Sequence, residues 1–365
     1  MDIFFELLQA SIGTRRSLSR RPTADEWHRL MDTSVQHGLT ALTFGYVRNL
    51  PKADAPDADV AVRWFAAATN AERVMGRMRA VAADLAGRLW QRRVAAVMLK
   101  GQAFAQYYAN PLHREFGDID CFLRGPREAA DSAMAEMGCP LCPGAYKHTR
   151  LSYRGIPVEN HIFFTSFGNT RRGLRTERHL ATLFAGPCTP IGDTDMLAPS
   201  ADFTALFMPR HAQSHFIEEG IRMRYVLDWA LFLRAEQDRV DWPRVLSMMD
   251  DAHLSRFVGV LTALAVRCLG ISVGHEGLRA LALSADSRLT DLVLADTMGP
   301  QPAVSTPGLW HKTRRIARRF VRMWRFRSLA CEPYARMVWN AFAFSSYLHR
   351  SLPPIHSDLA STPAR

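Results

Sequence analysis

Apolar residues at spacings of three and four dominate both ends of this chain, and a two-residue alternation dominates a stretch between them. FFELLQASI and EWHRLMDTSVQHGL carry the longer period, which predicts helices from residue 1 to about 48, with Thr23 and Glu26 as a capping box. PKADAPDAD (51–59) breaks the period and reads as a loop. A long helix is predicted from Val60 to about Arg93, with Trp64, Ala67, Val74, Met78, Val81 and Leu85 on its apolar stripe. The texture then changes. VAAVMLK (94–100) reads as a short apolar strand, Gly101 opens a turn, and AFAQYYA reads as a short helix. FGDIDCFLR alternates as a second strand, and PREAADSAMAEMG is a helix bounded by Pro126 and Gly138. LSYRGIPVENHIFF gives two further strands joined at Gly155-Ile156-Pro157. The helical period returns at Ala201 and holds to about Leu348, broken by GPQPAVSTPG (299–308).

Helices and strands segregate by region, which predicts an α+β fold. The expected division is an N-terminal helical cap (1–75), a small mixed core (76–195), a C-terminal helical domain (196–350) and a disordered tail (351–365). Composition narrows the class. At 48% hydrophobic and 22% charged, the 365-residue chain is globular rather than disordered. Its longest apolar helical run, VGVLTALAV (258–266), stops at Arg267, short of the roughly 18 residues a membrane span needs. Asp2 and Glu6 precede the first arginines, the wrong order for a secretory signal, so a cytosolic (cytoplasmic) protein is expected. Six cysteines are too sparse for a disulfide framework, and Cys139 with Cys142 lacks the second pair a structural zinc would want.

The net charge of +11 is concentrated in one place. Between Thr297 and Cys331 stand Lys312, Arg314, Arg315, Arg318, Arg319, Arg322, Arg325 and Arg327, with no acid among them. The rest of the chain is nearly balanced. From Leu309 to Trp324 the apolar residues Leu309, Ile316, Phe320 and Trp324, flanked by Ala317 and Val321, form a helical stripe opposite these arginines. The plainer reading packs the stripe on its neighbours and leaves the arginines solvated or paired. The sharper ones are steering of an anionic substrate or contact with a membrane surface. Nucleic acid is disfavoured, because no aromatic platform or groove-reading motif accompanies the charge.

Gly117-Asp118-Ile119-Asp120 is the stretch that suggests chemistry. Residues i and i+2 of a strand share a face, so Asp118 and Asp120 project together while Ile119 turns to the core. Two carboxylates that close repel unless a cation lies between them, and magnesium is commonly held by one or two carboxylates plus substrate phosphates. An isolated Asp-x-Asp is common as a pair of solvated acids, so its neighbours decide its value. Lys100-Gly101 ends the preceding strand on a glycine, where backbone can approach a phosphate, and Lys100 and Arg114 place cations suited to triphosphate oxygens. Glu159 supplies a third acid on a later strand, with His161 on its face. A third carboxylate beside a metal pair either ligates an ion or takes the proton from an attacking hydroxyl.

VMLKGQAFAQYYANPLHREFGDIDCFLRG, followed by Val158-Glu159-Asn160-His161, strongly resembles the bacterial uncharacterised nucleotidyltransferase family of the DNA polymerase β-like superfamily. The matching positions are Leu99, Lys100, Gly101, Tyr107, Tyr108, Arg114, Gly117, Asp118, Asp120, Glu159 and His161. The resemblance extends to FFELLQA and to HAQSHF and RYVLDWALFL, covering most of residues 1–350. It implies a nucleotidyltransferase palm flanked by helical regions. It also implies ATP or another nucleoside triphosphate as donor and Mg2+, or Mn2+ in its place, as cofactor. Metal ligation and catalysis fall to Asp118, Asp120 and Glu159. Nucleotide and ion contacts fall to Lys100, Gly101, Gln102, Arg114, Gly117 and His161. The wider superfamily usually follows its turn glycine with Ser or Gly, whereas Gln102 stands here. The acceptor is open among a small molecule, a saccharide precursor, a peptide and a protein. The alternative is a non-catalytic protein of the same fold that grips an anionic partner through the basic segment. His211 and His215 lie four apart on one helical face and are expected to pack or to line a cleft, and Asp228 to pair with Arg222 or Arg224.

Overall fold

The structure, a computed structural model, describes residues 2–124, 127–139, 148–165, 170–299 and 309–347. Cys142, the gap at 300–308 and the 351–365 tail lie outside the described residues. The protein is mixed α/β: a six-stranded sheet with helical regions before and after it. The strands are β1 (Ala95–Met98), β2 (Ile119–Arg124), β3 (His148–Tyr153), β4 (Ile156–His161), β5 (Thr189–Pro190) and β6 (Leu197–Ala198). They lie in the order β3-β4-β2-β1-β6-β5. β2 runs antiparallel to β1 and parallel to β4, and β3 and β4 form an antiparallel hairpin. The two-residue strands β5 and β6 carry no periodic signal of their own and were not anticipated by the pattern.

The hairpin turns at Arg154-Gly155, one residue earlier than the pattern suggests, with φ of 50° and 76°. Two successive residues in the left-handed region are the signature of the two-residue turn whose twist matches paired strands. The expected helix AFAQYYA contracts to one turn, Gln102–Ala105. Gly101 enters it at φ 50°, and an added Cβ there would meet the Phe116 ring at 3.2 Å, so glycine is required twice over.

Two helices set the frame in front of the sheet. Ala24–His37 starts on the Thr23/Glu26 capping box and ends at Gly38 in the left-handed conformation. Ala58–Trp90 runs 33 residues and buries Trp64, Met75, Met78, Val81 and Leu85. Val74, expected on that stripe, is 38% exposed, and Met75 fills the position instead. The sheet face bearing Ile119, Cys121 and Leu123 is buried, and the helix Ala58–Trp90 packs against β1 and the helix Arg127–Glu136 against β2. On the other face Phe122 stacks on Phe164 at 5.3 Å and meets Phe184 at 4.9 Å, and Phe203 and Phe207 continue the aromatic row into the helix Ala201–Glu218.

The basic helix, Leu309–Arg325, departs from the expected amphipathic arrangement. Ile316, Val321 and Trp324 are exposed at 49%, 68% and 53%, while Met323 and Phe326 are buried. Arg322 faces inward, reaching Asp296 at 2.6 Å and lying over the Phe216 and Phe326 rings, and Arg319 pairs with Glu218 at 2.9 Å. An arginine stem is long and apolar enough to lie against rings with its head paired, so counting arginine as an outward residue misplaces this face. Among the described residues no helix is long and apolar enough to cross a membrane.

Candidate active site

Strand register assembles the site. Asp120 on β2 lies opposite Glu159 on β4, and His148 on β3 lies opposite His161 on β4. Asp120, Glu159, His161 and His148 therefore stand on one face of three adjacent strands. Asp118 lies just ahead of β2 rather than within it. One carboxylate oxygen each from Asp118, Asp120 and Glu159 falls within 4.8 Å of the others. Lys100, at the end of β1, places Nζ 2.6 Å from Asp120 Oδ1, and His161 Nε2 is 3.0 Å from the same oxygen.

The electrostatics follow from this crowding. Burial disfavours the Asp118 carboxylate, the negative Asp120 beside it adds to the effect, and the pKa is pushed up to about 6. Burial works against the Asp120 charge too, but Lys100 and His161 outweigh it and hold that carboxyl far below the usual range. Burial likewise opposes the Lys100 ammonium, and the attraction of Asp120, Asp118 and Glu159 overrides it and raises the pKa. A site that keeps one carboxylate ionised only at some cost, and covers another with a lysine, has the donor set of a divalent cation with oxygen ligands.

The expected nucleotide contacts divide. Gly101 and Gln102 are buried beside Lys100, and Gln102 Nε2 has no hydrogen-bond partner among the described residues. Gly117 has open space where a Cβ would be. It lines a cavity of about 500 Å³ together with Phe116, Met75, Asn70, Arg222 and Arg224. Arg114, expected at triphosphate oxygens, is buried and engaged elsewhere. Its Nε and Nη2 donate to the two oxygens of Asp228 at 2.9 and 2.8 Å, and its Nη1 donates to the Gly101 carbonyl at 3.3 Å. Asp228 is thus held by Arg114 rather than by Arg222 or Arg224, and Tyr108 donates its hydroxyl to the same carboxylate at 2.8 Å. A planar guanidinium meeting a carboxylate with two parallel bonds is the geometry that favours arginine at a buried pair.

A family model for uncharacterised nucleotidyltransferases matches residues 23–270. The chain belongs to that family. The match contains every residue of the carboxylate cluster, the Gly101 turn and the Arg114–Asp228 pair, and it ends before the basic helix. Comparison with curated proteins and with solved structures gives no match. The chain is thus a member of this nucleotidyltransferase family whose three convergent carboxylates could hold a metal ion.

His148 is the residue that the pattern did not bring forward. The hairpin contained the signal: a two-residue turn at Arg154-Gly155 pairs Tyr153 with Ile156, and counting back five positions pairs His148 with His161. Placing the turn at Gly155-Ile156-Pro157 hid that register. His211 and His215 pack together with ring centroids 4.5 Å apart, and His211 also stacks on Tyr225.

Proposed function

We propose that this protein transfers a nucleoside monophosphate from a nucleoside triphosphate, ATP among the candidates, to an acceptor hydroxyl, releasing pyrophosphate, in a magnesium-dependent reaction. The observation that carries the reading is the convergence of Asp118, Asp120 and Glu159 at one face of the sheet in a nucleotidyltransferase-family chain. In the reaction the bond between the α- and β-phosphates breaks, the acceptor oxygen forms the new ester to the α-phosphorus, and the hydroxyl proton leaves to a base. Asp118, Asp120 and Glu159 would hold the Mg2+, whose positive charge lowers the cost of charge building on the phosphate oxygens.

The remaining roles belong to the chain itself. Glu159, partly exposed on β4, is placed either to ligate or to accept the acceptor's proton. Lys100 neutralises Asp120 and keeps 15% of its side chain open, so it is positioned to pass to phosphate oxygens when nucleotide binds. The buried Gln102 amide offers an unused donor at the same turn. Arg114 acts through the backbone: by gripping the Gly101 carbonyl it fixes the turn that Lys100 and Gln102 flank. The cavity of about 500 Å³ beside Gly117 has the size of small-molecule sites, and Arg222 and Arg224 make it fit for an anionic group. Positioning and preorganised charge then lower most of the barrier.

The test is pyrophosphate release and mass spectrometry of acceptor mixtures incubated with each nucleoside triphosphate and Mg2+. Asp118→Asn and Asp120→Asn are each expected to reduce transfer at least about 100-fold, the scale of losing a major electrostatic contributor, with folding retained. Near wild-type transfer in either variant would remove the metal assignment.

A further inference from the structure

A second cluster lies beside the carboxylates and is chemically different from them. His148, Glu159 and His161 each turn one ligand atom to a common point, all within 4.8 Å of one another. His148 Nε2 is 3.2 Å from Glu159 Oε1, and His161 Nε2 is 3.9 Å from Glu159 Oε2. Two donors bound to one ion at the usual 2.0–2.2 Å in a tetrahedral arrangement stand about 3.4 Å apart, so these spacings are close to ligating ones already.

The hydrogen-bond chemistry gives the direction of each ring. His161 Nδ1 lies 3.2 Å from the Phe163 carbonyl, and a carbonyl oxygen only accepts. Nδ1 therefore carries a hydrogen, and Nε2 is the ring atom turned toward Asp120 and Glu159. Beside the Asp120 carboxylate, which only accepts, Nε2 carries a hydrogen as well, and an ion bound there would displace it and take the lone pair that points into the cluster. That is the arrangement by which a backbone carbonyl orients a metal-ligating histidine. His148 Nε2 accepts from Arg150 Nε at 3.1 Å, so its lone pair also points into the cluster. Arg150 Nε is 3.5 Å from Glu159 Oε1 as well, and its side chain is 66% exposed. A displaceable side-chain cation thus rests on the same two atoms, one from His148 and one from Glu159.

We propose that His148, Glu159 and His161 form a second metal position. It would be a two-imidazole, one-carboxylate site for a divalent ion of the zinc, cobalt or copper type, joined to the all-oxygen cluster through the shared Glu159. Imidazole nitrogen suits these ions, whereas magnesium takes oxygen ligands, so the two positions select different metals. Glu159 is the bridge: Oε1 faces His148, and Oε2 faces His161. The assignment rests on donor geometry and stands independently of nucleotidyl transfer.

Titration of metal-free protein with Co2+ tests it through the visible d–d absorption of the bound ion. Wild type and Asp118→Asn are expected to take up one equivalent with the intensified band of a nitrogen-ligated ion. His148→Gln is expected to weaken that uptake at least about tenfold, the loss seen even for partners that only orient a ligand. Equal Co2+ affinity in wild type and His148→Gln would overturn the proposal. So would a wild type without the band, which would leave His161 an imidazolium paired with Asp120. Should His148→Gln fail to fold, spin-echo modulation from one equivalent of Cu2+ bound to wild type decides: coupling to imidazole 14N supports the site, and its absence overturns it. Retention of the band in Asp118→Asn separates this result from any failure of transfer.

Discussion

Asp118 and Asp120 stand two residues apart, and burial alone would raise the pKa of both. What separates them is the partner each one meets. Asp120 receives Lys100 Nζ at 2.6 Å and His161 Nε2 at 3.0 Å, whereas Asp118 is left with the repulsion of its neighbour. Residue spacing alone made it possible to anticipate the pair, but not this asymmetry, because it depends on which side chains arrive from β1 and β4. The consequence can be measured without any metal. A carboxyl raised from 3.8 to about 6 in the folded protein loses its proton more readily in the unfolded chain. Between about pH 4 and pH 6 the native state then binds the extra proton, so stability falls as pH rises, and the full penalty stands above about pH 6. Asp118→Asn removes the penalty. In chelator, the variant is expected to exceed wild type in stability at pH 8 by about 1–2 kcal/mol after allowance for solvent screening, and to match it at pH 4. Denaturant melts at the two pH values check this, and a less stable variant at pH 8 would refute the account of the shift.

At the scale of elements, most of the site could be read in advance because its determinants are local. A short apolar strand, a turn glycine, an alternating strand with two acids and a later strand with a third all follow from periods and breakers within a few residues. The register between strands is not local. It moved the hairpin turn to Arg154-Gly155 and brought His148 beside His161, and one residue's shift in a turn exchanges the faces of a whole strand. The basic helix failed for a different reason: hydropathy assigns arginine to water, while Arg322 donates from Nη1 to Asp296 and from Nε to the Phe216 carbonyl and lays its plane over two rings. That arrangement divides the helix by function. Arg322→Glu would set a carboxylate against Asp296 and is expected to cost about 1–3 kcal/mol, below the fully buried case because the two side chains stay 16% and 15% exposed. Arg318 and Arg325 are exposed, and reversing both to Glu is expected to change stability by less than about 0.5 kcal/mol per site. If the exposed arginines steer an anionic substrate, the double reversal lowers kcat/KM at low ionic strength with kcat kept, and added salt closes the gap. An unchanged kcat/KM at low salt would leave these arginines as solvated charge.

Across the whole molecule, the Arg114–Asp228 pair ties the sheet region to the helix Met223–Glu236, over 114 residues of sequence. The sequence marks Asp228 as an acid in need of an arginine but not which one, because a buried charge finds its partner only when the opposing element is in place. Asp228→Asn would leave Arg114 buried with half its pairing, and about 3 kcal/mol of stability is expected to go with it. The Gly101 turn is expected to loosen as well, which would appear as a rise in nucleotide KM. Ligand binding gives the last test. Triphosphate and carboxylates repel each other until a divalent ion lies between them, and the ion alone must compete with Lys100 for Asp120. Nucleotide and Mg2+ together should therefore raise the melting temperature more than the sum of their separate effects. At ligand near 100 times Kd the native state gains about 2.7 kcal/mol, equivalent to a shift of roughly 3–4 °C for a chain of this size. Asp118→Asn and Asp120→Asn should abolish the synergy while keeping any shift that nucleotide gives alone. A thermal scan in which none of the four common triphosphates responds to Mg2+ or Mn2+ would instead favour a family member that binds an anionic partner without catalysis. In that case the same scan, repeated with polyanions in place of nucleotide, should show stabilisation that Arg318→Glu with Arg325→Glu removes.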